Sequence, residues 1–155
     1  MIRVQTEDFD IGEEIDRLSA GRPEVGAVVS FTGLVRARES VGDEPVTAIT
    51  LDHYPAMSRA KLEEIEAEAR RRWALADCLV IHRYGRLLPG ERIVLVVTLA
   101  PHRADAFAAA SFLMDWLKTR APFWKLEETA TGKRWVGAAA TDDAAARRWG
   151  TAAED

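Results

Sequence analysis

RIVLVVTLAPHRADAFAAASFLMDWLKTRAPFWKLEET, Arg92–Thr129, decides the fold because it runs a strand into a helix and the helix back into a strand. RIVLVVTLA is a near-continuous apolar run, as a strand buried on both faces requires. From His102 to Lys118 the sequence is alanine-rich and apolar around much of a helical circumference, so this helix should be buried on more than one side. Ala121 precedes Pro122 and is pushed out of helical geometry, which ends the helix within a residue or two of Lys118. FWKLEET then reads as a strand that makes a hairpin with KRWVGA across Ala130–Gly132.

Working outward, DCLVIHRYG (Asp77–Gly85) is a second buried strand, joined to RIVLVVTLA by RLLPGE, whose Pro-Gly pair marks a turn. VTAITLDHY (Val46–Tyr54) reads as a half-buried strand that stops at Pro55. GAVVSFTGLVR (Gly26–Arg36) is a strand that delivers Arg36 to its rim, followed by a polar loop from Ala37 to Pro45. Ile2–Gln5 is a short strand, and Asp10 caps a short helix through Leu18. Between Ser58 and Trp73, Leu62, Ile65, Ala69 and Trp73 recur at helical spacing, supported by Glu66–Arg70 and Glu68–Arg72 pairs. TDDAAARRW is expected to form a short terminal helix, with a frayed tail from about residue 150. With no repeat and no dividing linker, residues 1–155 are expected to form a single α+β domain with a mixed or antiparallel sheet.

A chain of 155 residues with 48% hydrophobic and 30% charged residues has the composition of one ordered domain. Its net charge of −4 argues against a general nucleic-acid binder. The lone Cys78 excludes an intrachain disulfide and a Cys-rich zinc site, and it reads as a small core residue. The N-terminus has no signal-peptide pattern, and no apolar run approaches the ~20 residues that cross a bilayer, so the expectation is a cytoplasmic protein off the membrane. His53 and His82 lie within strands without metal-ligand spacing, and the five tryptophans read as core and interface anchors. No phosphate-loop, dinucleotide-binding or nucleophile-elbow motif is present.

Only four lysines stand against 17 arginines, yet Lys118 and Lys125 flank one proline-broken turn. Both residue types supply charge, but only lysine gives up its proton at reachable cost. Lys118 also suits the negative end of a helix dipole, so structure alone could explain it. Lys125 sits between Trp124 and Leu126, and strand alternation turns it away from both. A partly dry cleft shared with other cations would make it a nucleophile, acid or base. In TLAPHRAD a strand runs directly into a helix, where free N–H groups together with His102 and Arg103 favour an anion; a solvated helix start is the plainer reading.

GAVVSFTGLVR, LDHYPAM (Leu51–Met57), VIHRYGRLLPGE (Val80–Glu91), the His102–Arg103 pair and above all MDWLKTRAPFWK (Met114–Lys125) resemble the large, catalytic subunit of molybdopterin synthase. The likeness covers roughly residues 8 to 149. It implies an α/β-hammerhead fold with an added small β subdomain, and a sulfurtransferase that converts cyclic pyranopterin monophosphate to molybdopterin. The implied sulfur donor is the C-terminal thiocarboxylate of a small ubiquitin-like carrier subunit, whose tail threads into the large subunit. The large subunit would form a homodimer with one carrier at each end, a heterotetramer, and need no cofactor or metal of its own. Carried over, Lys118 and Lys125 are the implied catalytic residues. Val35, Arg36, His102, Arg103, Leu126 and Glu127 join them in holding substrate. Leu34 and Leu126 stand where relatives are often basic, so the contacts implied there are those of the backbone rather than of a charged side chain. Two other readings share the same residues: a non-catalytic module that captures a partner's acidic tail, and a phosphate-ester enzyme with His102 as general acid.

Overall fold

The computed structural model describes residues 1–37, 44–137 and 140–150; most of the Ala37–Pro45 loop and the tail beyond residue 150 lie outside them. In chain order the elements are β1 (Ile2–Gln5), α1 (Ile11–Ser19), β2 (Ala27–Leu34), β3 (Val46–His53), α2 (Pro55–Arg72), β4 (Asp77–Arg83), β5 (Gly85–Leu87), β6 (Arg92–Ala100), α3 (Arg103–Arg120), β7 (Phe123–Thr129), β8 (Gly132–Val136) and α4 (Ala140–Arg147). They form two four-stranded sheets, in the orders β1-β4-β6-β2 and β5-β3-β7-β8. The first is mixed, with β1 parallel to β4 and the other pairs antiparallel; the second is wholly antiparallel.

Both faces of the first sheet are covered, which is why β4 and β6 read as unbroken apolar runs. On one face Cys78, Val80, Val94 and Val96 pack against Leu62, Ile65 and Ala69 of α2 and Phe112, Leu113 and Trp116 of α3. On the other, Leu79, Ile81, Leu95, Val97 and Leu99 meet Phe9 and Leu18, the latter from α1. Alternation along each strand splits the run between the two layers. Asp10 caps α1 as expected, its Oδ1 accepting the Glu13 N–H at 2.9 Å. Ala106, Ala109 and Ala110 are buried on α3, and such small side chains let the helix lie close to β6 and β2. Thr98 Oγ1 donates to the Ala106 carbonyl at 2.7 Å across that contact. α3 also packs on α2 and α4, so it is enclosed on several sides as its composition requires. Cys78 is fully buried, and burial pushes its thiol up to about 12, so it is an inert core residue.

Two boundaries differ from the sequence reading. Pro55 ends β3 but also opens α2, three residues before Ser58, because its fixed φ suits the first helical position. The stretch read only as a turn, RLLPGE, begins inside β5, which leaves the first sheet and pairs with β3 of the second. The expected Glu66–Arg70 and Glu68–Arg72 pairs on α2 are present, at 2.8 and 2.5 Å.

Candidate active site

β6 passes through Pro101 directly into α3. His102 is the N-cap in extended conformation (φ −125°, ψ 141°), without a side-chain cap, and Arg103 opens the helix; both are exposed. They line a hollow of about 550 Å³ together with Gly26, Pro101, Ala104 and Phe107. Gly26 is required there: a Cβ would stand 2.3 Å from the Pro101 carbonyl oxygen. Without one, the start of β2 lies flat on the turn, and Gly26 N–H donates to the Ala100 carbonyl at 3.0 Å. First-turn N–H groups, an imidazole and a guanidinium therefore face one open concavity, a site suited to an anion.

Lys118 is exposed in the last turn of the same helix. Ala121 is extended (φ −72°, ψ 127°) ahead of Pro122, as the sequence requires, and β7 begins at Phe123. Phe123 is clamped between rings of the two sheets. His82 of β4 stacks on it at 3.8 Å between centroids, and His53 of β3 at 5.6 Å. The two strand histidines thus pin the reversal that separates Lys118 from Lys125. His82 Nδ1 lies 2.9 Å from the Arg83 carbonyl, which can only accept, so that nitrogen carries the proton.

Phe123, Lys125 and Glu127 share the face of β7 that looks toward the first sheet, with Leu51 and Ile49 as cross-strand neighbours of the latter two. The Lys125 side chain is 26% exposed, and its Nζ lies 3.5 Å from Oε1 of Glu127. Glu127 is 1% exposed. Its other oxygen accepts from Arg134 Nε on β8 at 3.0 Å and ion-pairs with the terminal nitrogen at 2.9 Å. Lys125 is thus partly buried beside a carboxylate, with a second cation on the far side of that carboxylate. Val35 is buried in the cluster that contains Ile49 and Leu51, and its N–H and C=O pair with Glu91 and Gly90. Arg36 follows at the surface. Leu126 faces the opposite side of β7, opposite Thr50 and Trp135.

The expected residues fall into two groups. Arg36, Lys118, Lys125 and Glu127 are carried by the second sheet, by the loop packed on it and by the C-terminal end of α3. His102 and Arg103 stand at the other end of α3, 15 residues from Lys118, which is about 22 Å along a helix axis.

The family model described as MoaE protein matches residues 4–120. The chain belongs to the MoaE family. It is 53% identical over 150 residues to the molybdopterin synthase catalytic subunit of Ralstonia nicotianae, covering 96% of this chain and 84% of that protein. Against the protein of the same name from Escherichia coli K12 it is 53% identical over 148 residues, covering 96% and 97%. The solved molybdopterin biosynthesis MoaE protein of Burkholderia ambifaria superimposes with a TM-score of 0.82 at 52% identity, over 97% of this chain and 98% of that one. The MoaE-type architecture, α+β with a mixed sheet and a second antiparallel sheet, is the one expected from the sequence.

Three residues of the site escaped the sequence reading. Gly26 gives no local sign of the backbone it touches 75 residues later. Phe107 lies one turn after Arg103, and its helical spacing was the available signal. Arg134 becomes visible only once the β7–β8 register sets it opposite Glu127.

Proposed function

We propose that this chain is the catalytic subunit of a molybdopterin synthase, acting on cyclic pyranopterin monophosphate with a small ubiquitin-like carrier as sulfur donor. The carrying observation is the segment Met114–Lys125, which sets Lys118 and Lys125 on either side of one pinned reversal in a chain so similar to proteins bearing that name. In this reading Arg36, His102 and Arg103 hold the phosphate and pterin by fixed charge. Lys118 lies nearest the thiocarboxylate of the incoming tail, and Lys125 stabilises the negative charge that develops as sulfur is transferred. Two transfers complete the dithiolene; in each, water cleaves the bond between the carrier's acyl carbon and the transferred sulfur and leaves the carrier's tail as a carboxylate. No step calls for a cofactor or metal in this chain.

The ~22 Å between the two ends of α3 is resolved by a homodimer. β2 is the outer strand of its sheet, and Val28, Phe31 (41% exposed) and Leu34 project from it, while Phe107 (62% exposed) stands beside the hollow. An open edge rimmed by large apolar side chains suits a self-complementary interface. A second copy packed there brings His102 and Arg103 of the partner subunit toward Lys118 and Lys125, and a carrier at each far end completes a heterotetramer. No described helix is long and apolar enough to cross a membrane. A cytoplasmic setting is part of the proposal.

The test is to mix the purified chain with thiocarboxylated carrier and precursor and weigh the pterin product. Two sulfur atoms gained per pterin are expected. A tight complex that transfers none would replace this reading with capture of an acidic tail, and turnover of phosphate esters without a carrier would replace it with hydrolysis.

A further inference from the structure

We infer that Glu127 is a positioning residue, a buried carboxylate that holds the Lys125 ammonium in place and is itself braced from behind by Arg134. The inference rests on the reading that Lys125 acts in sulfur transfer. Glu127 is among the most deeply buried large side chains of the protein, at 1% exposure. Putting a carboxylate there costs it its hydration, and a well-packed apolar residue would do as well or better for stability alone. Its two oxygens are divided between two cations. Oε2 accepts the Arg134 Nε–H and ion-pairs with that guanidinium, while Oε1 faces Lys125 Nζ at 3.5 Å. Arg134 already supplies a counter-charge, so the second oxygen serves Lys125.

Geometry makes the hold firm. Lys125 and Glu127 are two residues apart on one face of β7, and Arg134 is the direct cross-strand partner of Glu127 on β8. All three backbones are therefore fixed by the sheet. The neighbouring Glu128 shows the contrast: it turns to the other face and meets the more exposed Arg86 and Lys133. A lysine has four rotatable side-chain bonds, and left to itself it would have to order its ammonium as charge develops in the transition state. Anchored by Glu127, the charge is set in advance, which is where electrostatic stabilisation gains most. Lys125 thereby serves as a fixed ammonium, and the exposed Lys118 is left as the amine that meets the carrier tail.

The experiment is a double-mutant cycle on the complete synthase, with saturating thiocarboxylated carrier and varied precursor. Glu127→Gln should lower kcat by about 10- to 100-fold with KM changed less than about threefold, and Glu127→Asp should recover part of the loss. Lys125→Ala should be slow, and adding Glu127→Gln to it should slow it no further. If Glu127→Gln costs the same factor in both backgrounds, or nothing in either, Glu127 does not act through Lys125 and the inference is wrong. If Lys125→Ala itself runs at the wild-type rate, the functional reading of that lysine fails first, and the inference with it.

A readout on the unaltered chain covers the case of a variant that does not fold. With only four lysines, the side-chain Nζ–Cε correlations are few, and Lys125 is assigned by its loss in Lys125→Ala. Its ammonium protons should exchange with water more slowly than those of the exposed Lys133. Equal exchange would overturn the anchoring.

Discussion

The two ends of α3 carry the same sign of charge for opposite reasons. At the N-terminus His102 and Arg103 stand where the helix dipole is itself positive, so side chains and backbone together make a place for an anion. At the C-terminus Lys118 stands where the dipole is negative, so the backbone steadies the cation instead of adding to it. One end binds by fixed charge; the other keeps an amine available for chemistry. In the proposed function a single helix thus separates substrate capture from transfer, and a second copy is what reunites them.

The largest effect should come from the transfer end. Lys118→Ala is expected to lower product formation by at least about 1,000-fold, because it removes a group that touches the reacting tail. The side chain is exposed, so thermal stability and carrier binding should stay near wild type. Product at the wild-type rate would remove Lys118 from the chemistry and reduce the difference between the helix ends to one of dipoles.

The capture end should respond in KM. Arg103→Ala is expected to raise the KM for precursor by about 10- to 100-fold, with a smaller fall in kcat, since the lost interaction is present before the transition state. The two variants also test the dimer. Randomly reassorted subunits give half mixed dimers, each with one doubly altered site and one intact site, so a mixture of Lys118→Ala and Arg103→Ala should recover about a quarter of wild-type activity. Recovery no better than the sum of the parents would place both ends of α3 in one chain's site, or neither.

Much of this contrast could be read in the sequence because local rules govern it. Pro122 and the residue before it end α3 by sterics alone, and strand alternation alone turns Lys125 and Glu127 to one face. The boundary at Pro55 was harder, because the same ring stops a strand and starts a helix. β5 was hidden because three residues give no period to detect. The burial of Glu127 was out of reach: alternation gives the face, but only the packing of one sheet on the other decides whether that face is wet. The N-terminal hollow likewise depends on Gly26 meeting Pro101, a contact between residues far apart in the chain. The ~22 Å between the ends of α3 follows from helix length, yet the significance of that length appears only when both ends carry function.

The smallest effect concerns the clamp that holds the transfer end. Burial lowers the His82 imidazole from its ordinary 6.5 to about 4, with a small further push from His53, against the pull of the Arg83 carbonyl. The folded protein therefore keeps this ring neutral where the unfolded chain protonates it. Its contribution is fully present above about pH 6.5 and is lost as pH falls toward 4. Between pH 7 and pH 5 the full shift corresponds to about 2 kcal/mol. His82 as a whole is only half-buried, so a loss of about 1–2 kcal/mol is expected, or roughly 3–6 °C in Tm. Carboxylates held low by arginine partners, such as Asp8 and Asp77, lose most of their contributions below about pH 4.5, so the histidine is expected to dominate this window. His82→Phe keeps a ring against Phe123 and removes the titration; its Tm should fall less between pH 7 and pH 5 than that of the wild type. An equal fall in both proteins would mean that His82 is not the group responsible, and that acid loosens this end of the molecule through some other contact.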